Sequence, residues 1–221
     1  SYPSSEPTFD WAKDQYPVKE RINIMDITVK SGTYEGIRGI KPDVCQLYGI
    51  QIQLGENGEP IRYAYKYPHT TKYRAFNDKS KTWVKNTGLG MTHLFGPEFN
   101  AGTSKRLYLT EGEFDAASLY EILGEKFPVK SLPSASIGEK FLQKNYEYLN
   151  SFENVIYAGE LDTAGKSAAD KIYSAIPDKF FYVPMSKHKD ANDFLTAGDG
   201  KDLMCWLLYT SPSPRDGLLS R

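Results

Sequence analysis

The sequence predicts an α/β protein: a parallel sheet flanked by helices, preceded by a smaller α+β unit with an antiparallel sheet. Three observations predict it. From Lys105 onward, short apolar runs (L-Y-L, N-V-I-Y-A, F-F-Y-V-P-M) alternate with helix-like stretches, the pattern of parallel strands joined by crossover helices. Upstream, P-I-R-Y-A-Y-K-Y-P alternates polar and apolar residues, as a strand with one wet face does. Finally, three acidic clusters follow apolar runs: T-E-G-E-F-D (Thr110 to Asp115), G-E-L-D-T-A-G (Gly159 to Gly165) and K-D-A-N-D (Lys189 to Asp193). That places them at the carboxyl ends of strands, where open α/β sheets collect their ligands.

Residues 1–30, with Pro3, Pro7 and Pro17 and little periodicity, read as a linker or extended arm. Residues 31–103 read as the α+β unit. A short helix starts at Pro42 and is closed by Gly49, because proline suits the first helical position and glycine the residue past the last. I-Q-I-Q-L then reads as a strand, E-N-G-E as a turn and P-I-R-Y-A-Y-K-Y-P as a second strand.

Residues 104–206 carry the alternation. Strand L-Y-L-T leads into helix F-D-A-A-S-L-Y-E-I-L, which ends near Gly124. Strand P-V-K-S-L, the loop P-S-A-S-I-G and helix E-K-F-L-Q-K-N-Y-E-Y-L-N follow. Strand N-V-I-Y-A-G-E-L, helix A-G-K-S-A-A-D-K-I-Y-S-A-I up to Pro177 and strand F-F-Y-V-P-M complete the series. Residues 207–221 are set apart: L-L-Y-T-S-P-S-P-R-D looks like the translation of a sequencing-adapter oligonucleotide, and Ser220 and Arg221 fit its continuation. The expectation is an adapter-derived artefact on a reading frame cut short, with a downstream domain missing.

Composition narrows the function. Hydrophobic content of 40% and charged content of 25% fit a soluble globular protein. No apolar stretch approaches a membrane span, and no basic-apolar leader suggests secretion. Cys45 and Cys205 form no C-x-x-C pair, which argues against a zinc knuckle or disulfide framework and for a reducing, cytoplasmic setting. A net charge of −1 predicts no nucleic-acid partner by itself, so the distribution of charge has to carry that question.

Carboxylates gathered at strand ends suit Mg²⁺, a hard cation that takes oxygen ligands. Glu111 ends the first strand, and Asp115, one helical turn into the next helix, could face the same space. Glu160 and Asp162 lie two apart, so on extended chain their side chains leave one face. Asp190 and Asp193 follow the last strand. Such a cluster repels itself unless cations neutralise it, and a pair of divalent ions would also position a triphosphate for in-line attack. The competing reading is that these acids cap helices, with Asp162 and Asp190 as N-caps. G-E-L-D-T-A-G-K-S ends like a phosphate-binding loop but has five residues between its glycines instead of four, so Lys166 is expected on an exposed helix face.

Arg62 to Lys85 is basic and aromatic. Lys72, Arg74, Lys79, Lys81 and Lys85 interleave with Tyr63, Tyr65, Tyr67, Tyr73, Phe76 and Trp83. Lysines can neutralise phosphates and aromatic rings can stack bases. The plainer reading is a sheet that shows basic residues on its wet face and buries its aromatic rings. His69, His93 and His188 read as ordinary surface or turn residues, since Mg²⁺ does not favour imidazole.

E-G-E-F-D, then x-E-L-D-T-A-G, then K-D-A-N-D resembles the TOPRIM domain, specifically the primase half of phage-type bifunctional primase–helicases and their mitochondrial relative Twinkle. Upstream, G-T-Y-E-G-I-R-G-I, the basic strand K-Y-R-A-F and L-F-G resemble the RNA-polymerase subdomain of that family. The resemblance spans about Ser31 to Trp206. It implies a TOPRIM-type fold and a DNA primase, a nucleotidyltransferase that makes short RNA primers on single-stranded DNA from NTPs during replication. Glu111, Glu160, Asp162 and Asp190 would hold two Mg²⁺ ions, with Mn²⁺ as an alternative, and Asp115 would join them as a catalytic acid. Glu160 departs from the pattern, which has Asp there. Lys72 and Arg74 on K-Y-R, with Lys79, Lys81 and Lys85 on the loop after it, would hold triphosphate and template. A helicase domain and a zinc-binding module would lie outside this sequence, and the site of action would be the cytoplasm of a phage-infected cell, or a mitochondrion. A TOPRIM nuclease or topoisomerase fragment and a catalytically degenerate DNA-binding module of a replicative helicase are the rival readings.

Overall fold

A computed structural model describes residues 28–85, 91–134 and 136–210. Nearly all of the arm expected over residues 1–30 and the tail from residue 211 lie outside them. The first unit is a five-stranded antiparallel sheet in sequential order: β1 (Ser31–Thr33), β2 (Ile50–Leu54), β3 (Pro60–Lys66), β4 (Thr71–Ala75) and β5 (Asp78–Val84). Helix α1 (Pro42–Tyr48) precedes β2, with Pro42 in its first turn. Gly49 ends it in the left-handed conformation (φ 66°), and its N–H reaches back to the carbonyls of Cys45 and Gln46.

The second unit is a four-stranded parallel sheet ordered β7-β6-β8-β9, built from β6 (Arg106–Thr110), β7 (Val129–Ser131), β8 (Asn154–Gly159) and β9 (Phe180–Pro184). The crossovers are α2 (Glu113–Ile122), α3 (Glu139–Asn150) and α4 (Thr163–Ala175); α5 (Ala191–Thr196) and α6 (Gly200–Thr210) follow the last strand. Two cores lie on opposite faces. Leu107, Leu109, Val155 and Tyr157 point toward α3 and α4, among Phe141, Leu149, Ala168 and Ile172. Tyr108, Ile156 and Ala158 point the other way, toward Phe114 and Leu119 of α2, Phe194 of α5 and Leu203 and Leu207 of α6. Both faces are covered, which explains why these strands read as continuous apolar runs. Among the described residues no helix is long and apolar enough to cross a membrane.

The antiparallel sheet closes over α2. Tyr63 and Tyr65 on its inner face meet the Phe114 ring edge-on, with centroids 5.0 and 5.6 Å away. The buried Tyr48 hydroxyl donates to the Val129 carbonyl at 2.9 Å. Asn192 on α5 donates to the Arg38 carbonyl (3.0 Å) and to Ser118 of α2 (2.9 Å), which ties three segments remote in sequence.

The predicted helices and parallel strands are present, with four differences. β1, α5 and α6 were not expected. The strand at N-V-I-Y-A-G-E-L ends at Gly159, so Glu160 and Asp162 do not share one extended segment. The stretch from Asp78 to Val84 is a strand and not a loop, because only Phe76 and Asn77 separate the paired Ala75 and Asp78 and the chain turns straight back. The separation at residue 207 falls inside α6, where Leu207 is fully buried.

Candidate active site

The strand order is that of a doubly wound sheet whose direction of winding reverses between β6 and β8, and such reversals open a crevice at the carboxyl ends. A cleft of about 300 Å³ lies there. Glu111 enters from the end of β6, Ser134 from beyond β7, Glu160 from the end of β8, and Lys189 and Asp190 from beyond β9. Asp115, in the first turn of α2, completes the acidic side. Lys72 and Arg74 of β4, together with Arg38, form the facing wall. Six of the residues singled out from sequence therefore meet: Glu111, Asp115, Glu160, Asp190, Lys72 and Arg74.

Glu111 spans the crevice. Its Oε1 accepts the Glu160 N–H at 2.9 Å, joining the ends of β6 and β8. Burial raises Glu111 above the ordinary carboxylate range; that hydrogen bond opposes the rise, and the Glu160 and Asp162 carboxylates add to it. Asp115 is raised further, first by burial and then by the neighbouring Asp190. Glu160 has a cationic neighbour, Lys189, with Nζ 3.4 Å from its Oε2, and this carboxylate raises the lysine in turn.

Asp162 is placed differently. It is the N-cap of α4, its Oδ1 accepting the Gly165 N–H at 2.8 Å, and it lines an adjoining recess that shares Glu160 and Lys189 with the cleft. Asp190 likewise caps α5, accepting the Asp193 N–H at 2.8 Å, while it also faces the cleft. Both capping contacts weighed against metal binding are thus present. Among the described residues no group of three His, Cys, Asp or Glu side chains forms a ready-made metal cage. The donor chemistry nevertheless suits a hard cation: all the acids are carboxylates, and they raise one another. Mg²⁺ commonly takes only one or two carboxylates, with waters and substrate phosphates completing its shell.

The cationic wall is mixed. Lys72 Nζ lies 2.7 Å from Glu113 Oε1 and 3.0 Å from the Pro133 carbonyl, and the Tyr67 hydroxyl donates to the same Glu113 oxygen at 2.8 Å. Arg74 and Arg38 hold their guanidinium carbons 4.9 and 5.1 Å from the centroid of the Phe114 ring, and no described carboxylate forms a salt bridge with either. Arg74 Nε is buried with no hydrogen-bond partner. Sequence reasoning missed Arg38, Ser134 and Lys189 as site residues. The signal for Arg38 was an arginine in I-R-G-I, where the chain turns with positive φ (52°).

The other basic residues stand elsewhere. Lys81 pairs with Asp78 at 3.4 Å and is exposed, Lys85 follows the end of β5, and neither lines the cleft. The Lys79 side chain lies outside the described part of the chain. Lys166 is exposed on α4, as its failed loop spacing predicted. His188 pairs with Asp199 at 2.6 Å, and the His69 and His93 rings meet with centroids 5.0 Å apart.

Residues 108–195 match the model of a family described as Toprim-like. The chain is 28% identical over 199 residues to the DNA helicase/primase of Enterobacteria phage T3, a match covering 86% of this chain and 34% of that protein. It therefore spans about a third of the length of that relative. The crystal structure of the primase fragment of the bacteriophage T7 primase-helicase superposes with a TM-score of 0.67 at 25% identity, over 80% of this chain and 75% of that one. The Aquifex aeolicus primase, with its zinc-binding and RNA polymerase domains, shares the fold at a TM-score of 0.59 and 15% identity, over 78% of this chain and 53% of that one.

Proposed function

We propose that this protein, whose residues 108–195 match a Toprim-like family model and which is similar to a phage DNA helicase/primase, is the catalytic core of a DNA primase. The reading is that it condenses NTPs into short RNA primers on single-stranded DNA. The observation that carries it is the cleft itself, where carboxylates from the ends of β6, β8 and β9 face Arg38, Lys72 and Arg74. Nucleotidyl transfer needs both walls: cations to hold a triphosphate and carboxylates to hold the metal that serves it.

Glu111, Glu160 and Asp190 would hold divalent cations, with Asp162 reaching them by giving up its cap on α4. When bound, Mg²⁺ or Mn²⁺ would supply the charge that activates an attacking 3′-hydroxyl and stabilises a departing pyrophosphate. Arg74 and Arg38, anchored on Phe114, would orient the triphosphate. Lys72, tied to Glu113, would add positive potential from a fixed place. A helicase unit, as in the name of the phage T3 relative, is the expected partner, and the work would be done in the cytoplasm of an infected cell.

Asp162→Asn tests this reading against a purely structural role. Asparagine caps a helix as well as aspartate does, so the melting temperature should stay within about 2 °C of wild type. Loss of the charge should lower primer synthesis on single-stranded DNA by about a hundredfold. Unchanged synthesis would reduce Asp162 to a cap. The second reading, a DNA-binding module without turnover, draws on the Lys189–Glu160 pair and the absence of a ready cage among the described residues. Retention of single-stranded DNA with no synthesis under either metal would favour it.

A further inference from the structure

Glu160 is held at both polar groups of its backbone. Its N–H is given to Glu111 Oε1 at 2.9 Å, and its carbonyl accepts the Tyr182 hydroxyl at 2.8 Å. Tyr182 lies on β9, directly across from Tyr157 on β8 in the strand register. The two rings stack with centroids 5.8 Å apart and planes at 27°. Both lean past the end of β8 over Gly159, where a Cβ would lie only 2.7 Å from Tyr157 Cε1 and 3.0 Å from Tyr182 Cε2. The Tyr157 ring is fully buried.

We propose that Tyr182 is a positioning residue for the acidic side of the cleft, fixing the main chain of Glu160, with Tyr157 holding the Tyr182 ring in place by stacking against it. The inference rests on the functional reading above and adds to it the means by which a longer side chain at position 160 is aimed. Glutamate has one more rotatable bond than aspartate, so an unrestrained Glu160 would lose aim that transfer chemistry requires. Anchoring its peptide on both sides removes backbone play and leaves only side-chain torsions to be set by the ligand.

Tyr182→Phe removes one oxygen and keeps the stacked rings. The test is Mn²⁺ binding measured by electron paramagnetic resonance, together with kcat and KM for NTP in primer synthesis. The variant should bind Mn²⁺ about tenfold more weakly and lose about tenfold in kcat, with KM for NTP unchanged and the melting temperature within about 3 °C. Tyr209→Phe, at an exposed position on α6, should match wild type in every assay. A Tyr182→Phe variant that binds Mn²⁺ and turns over within twofold of an active wild type would overturn this inference and leave the functional reading standing. A wild type that neither binds Mn²⁺ nor makes primers would overturn both.

Discussion

Replacing Glu111 with glutamine is expected to lower primer synthesis by about a thousandfold, equivalent to roughly 4 kcal/mol of transition-state stabilisation. Glutamine keeps the shape and can still accept the Glu160 N–H, so the ends of β6 and β8 stay joined. Only the negative charge is lost. The effect on stability has the opposite sign. Burial raises Glu111 in the folded chain, so wild type loses stability as pH rises from the unfolded carboxylate value through that raised value. E111Q lacks this loss. It should be at least as stable as wild type at pH 8, and the difference should shrink toward pH 4, where both side chains are neutral. Melting curves at the two pH values, run beside the synthesis assay, check both statements. A variant that is both inactive and much less stable at pH 8 would mean that Glu111 serves the fold instead.

Glu113→Ala should have the largest effect on stability. Glu113 is the joint partner of Lys72 and Tyr67, and side-chain exposure is 7% for Glu113 and 17% for Lys72. Removing one member of a buried pair strands the other charge, at roughly 3–5 kcal/mol. For a chain of this size that corresponds to a fall in melting temperature of about 10 °C. Glu113→Gln, which can still accept from the lysine and the tyrosine, should lose less than half of that. Thermal unfolding of both variants settles the order. If E113A melts with wild type, Lys72 is not anchored and the cationic wall is set by Arg38 and Arg74 alone.

These two glutamates stand two residues apart in E-G-E, yet only one of them was legible as a site residue. Glu111 could be read because it ends an apolar run, and strand ends are where parallel sheets keep their ligands. Glu113 looked equally available, but its role depends on β4 folding across α2, a contact that no local pattern encodes. The parallel sheet was legible for a simple reason: strands buried on both faces, such as N-V-I-Y-A, read as unbroken apolar runs. α5 was not, because A-N-D-F-L-T is too short for a helical period to register. α6 was missed because its last residues looked foreign to the protein, although Leu207 packs in the core. β5 was read as a loop because D-K-S-K-T-W-V starts polar and basic, and its pairing is set by the tight turn before it.

Asp162 shows the limit of spacing arguments. Two residues apart on extended chain would have aimed Glu160 and Asp162 together. The strand stops at Gly159, and the polar N–H groups at the start of α4 claim the aspartate. The same competition acts on Asp190, which caps α5 and still lines the cleft.

The most direct measurement is anomalous scattering from crystals soaked with Mn²⁺ and a nucleoside triphosphate. The expected result is a metal peak about 2.1 Å from carboxylate oxygens of Glu111, Glu160 or Asp190, with the triphosphate lying against Arg74 and Arg38. A cleft that binds neither ion nor nucleotide, while those carboxylates keep to their caps and lysine partner, would contradict the account.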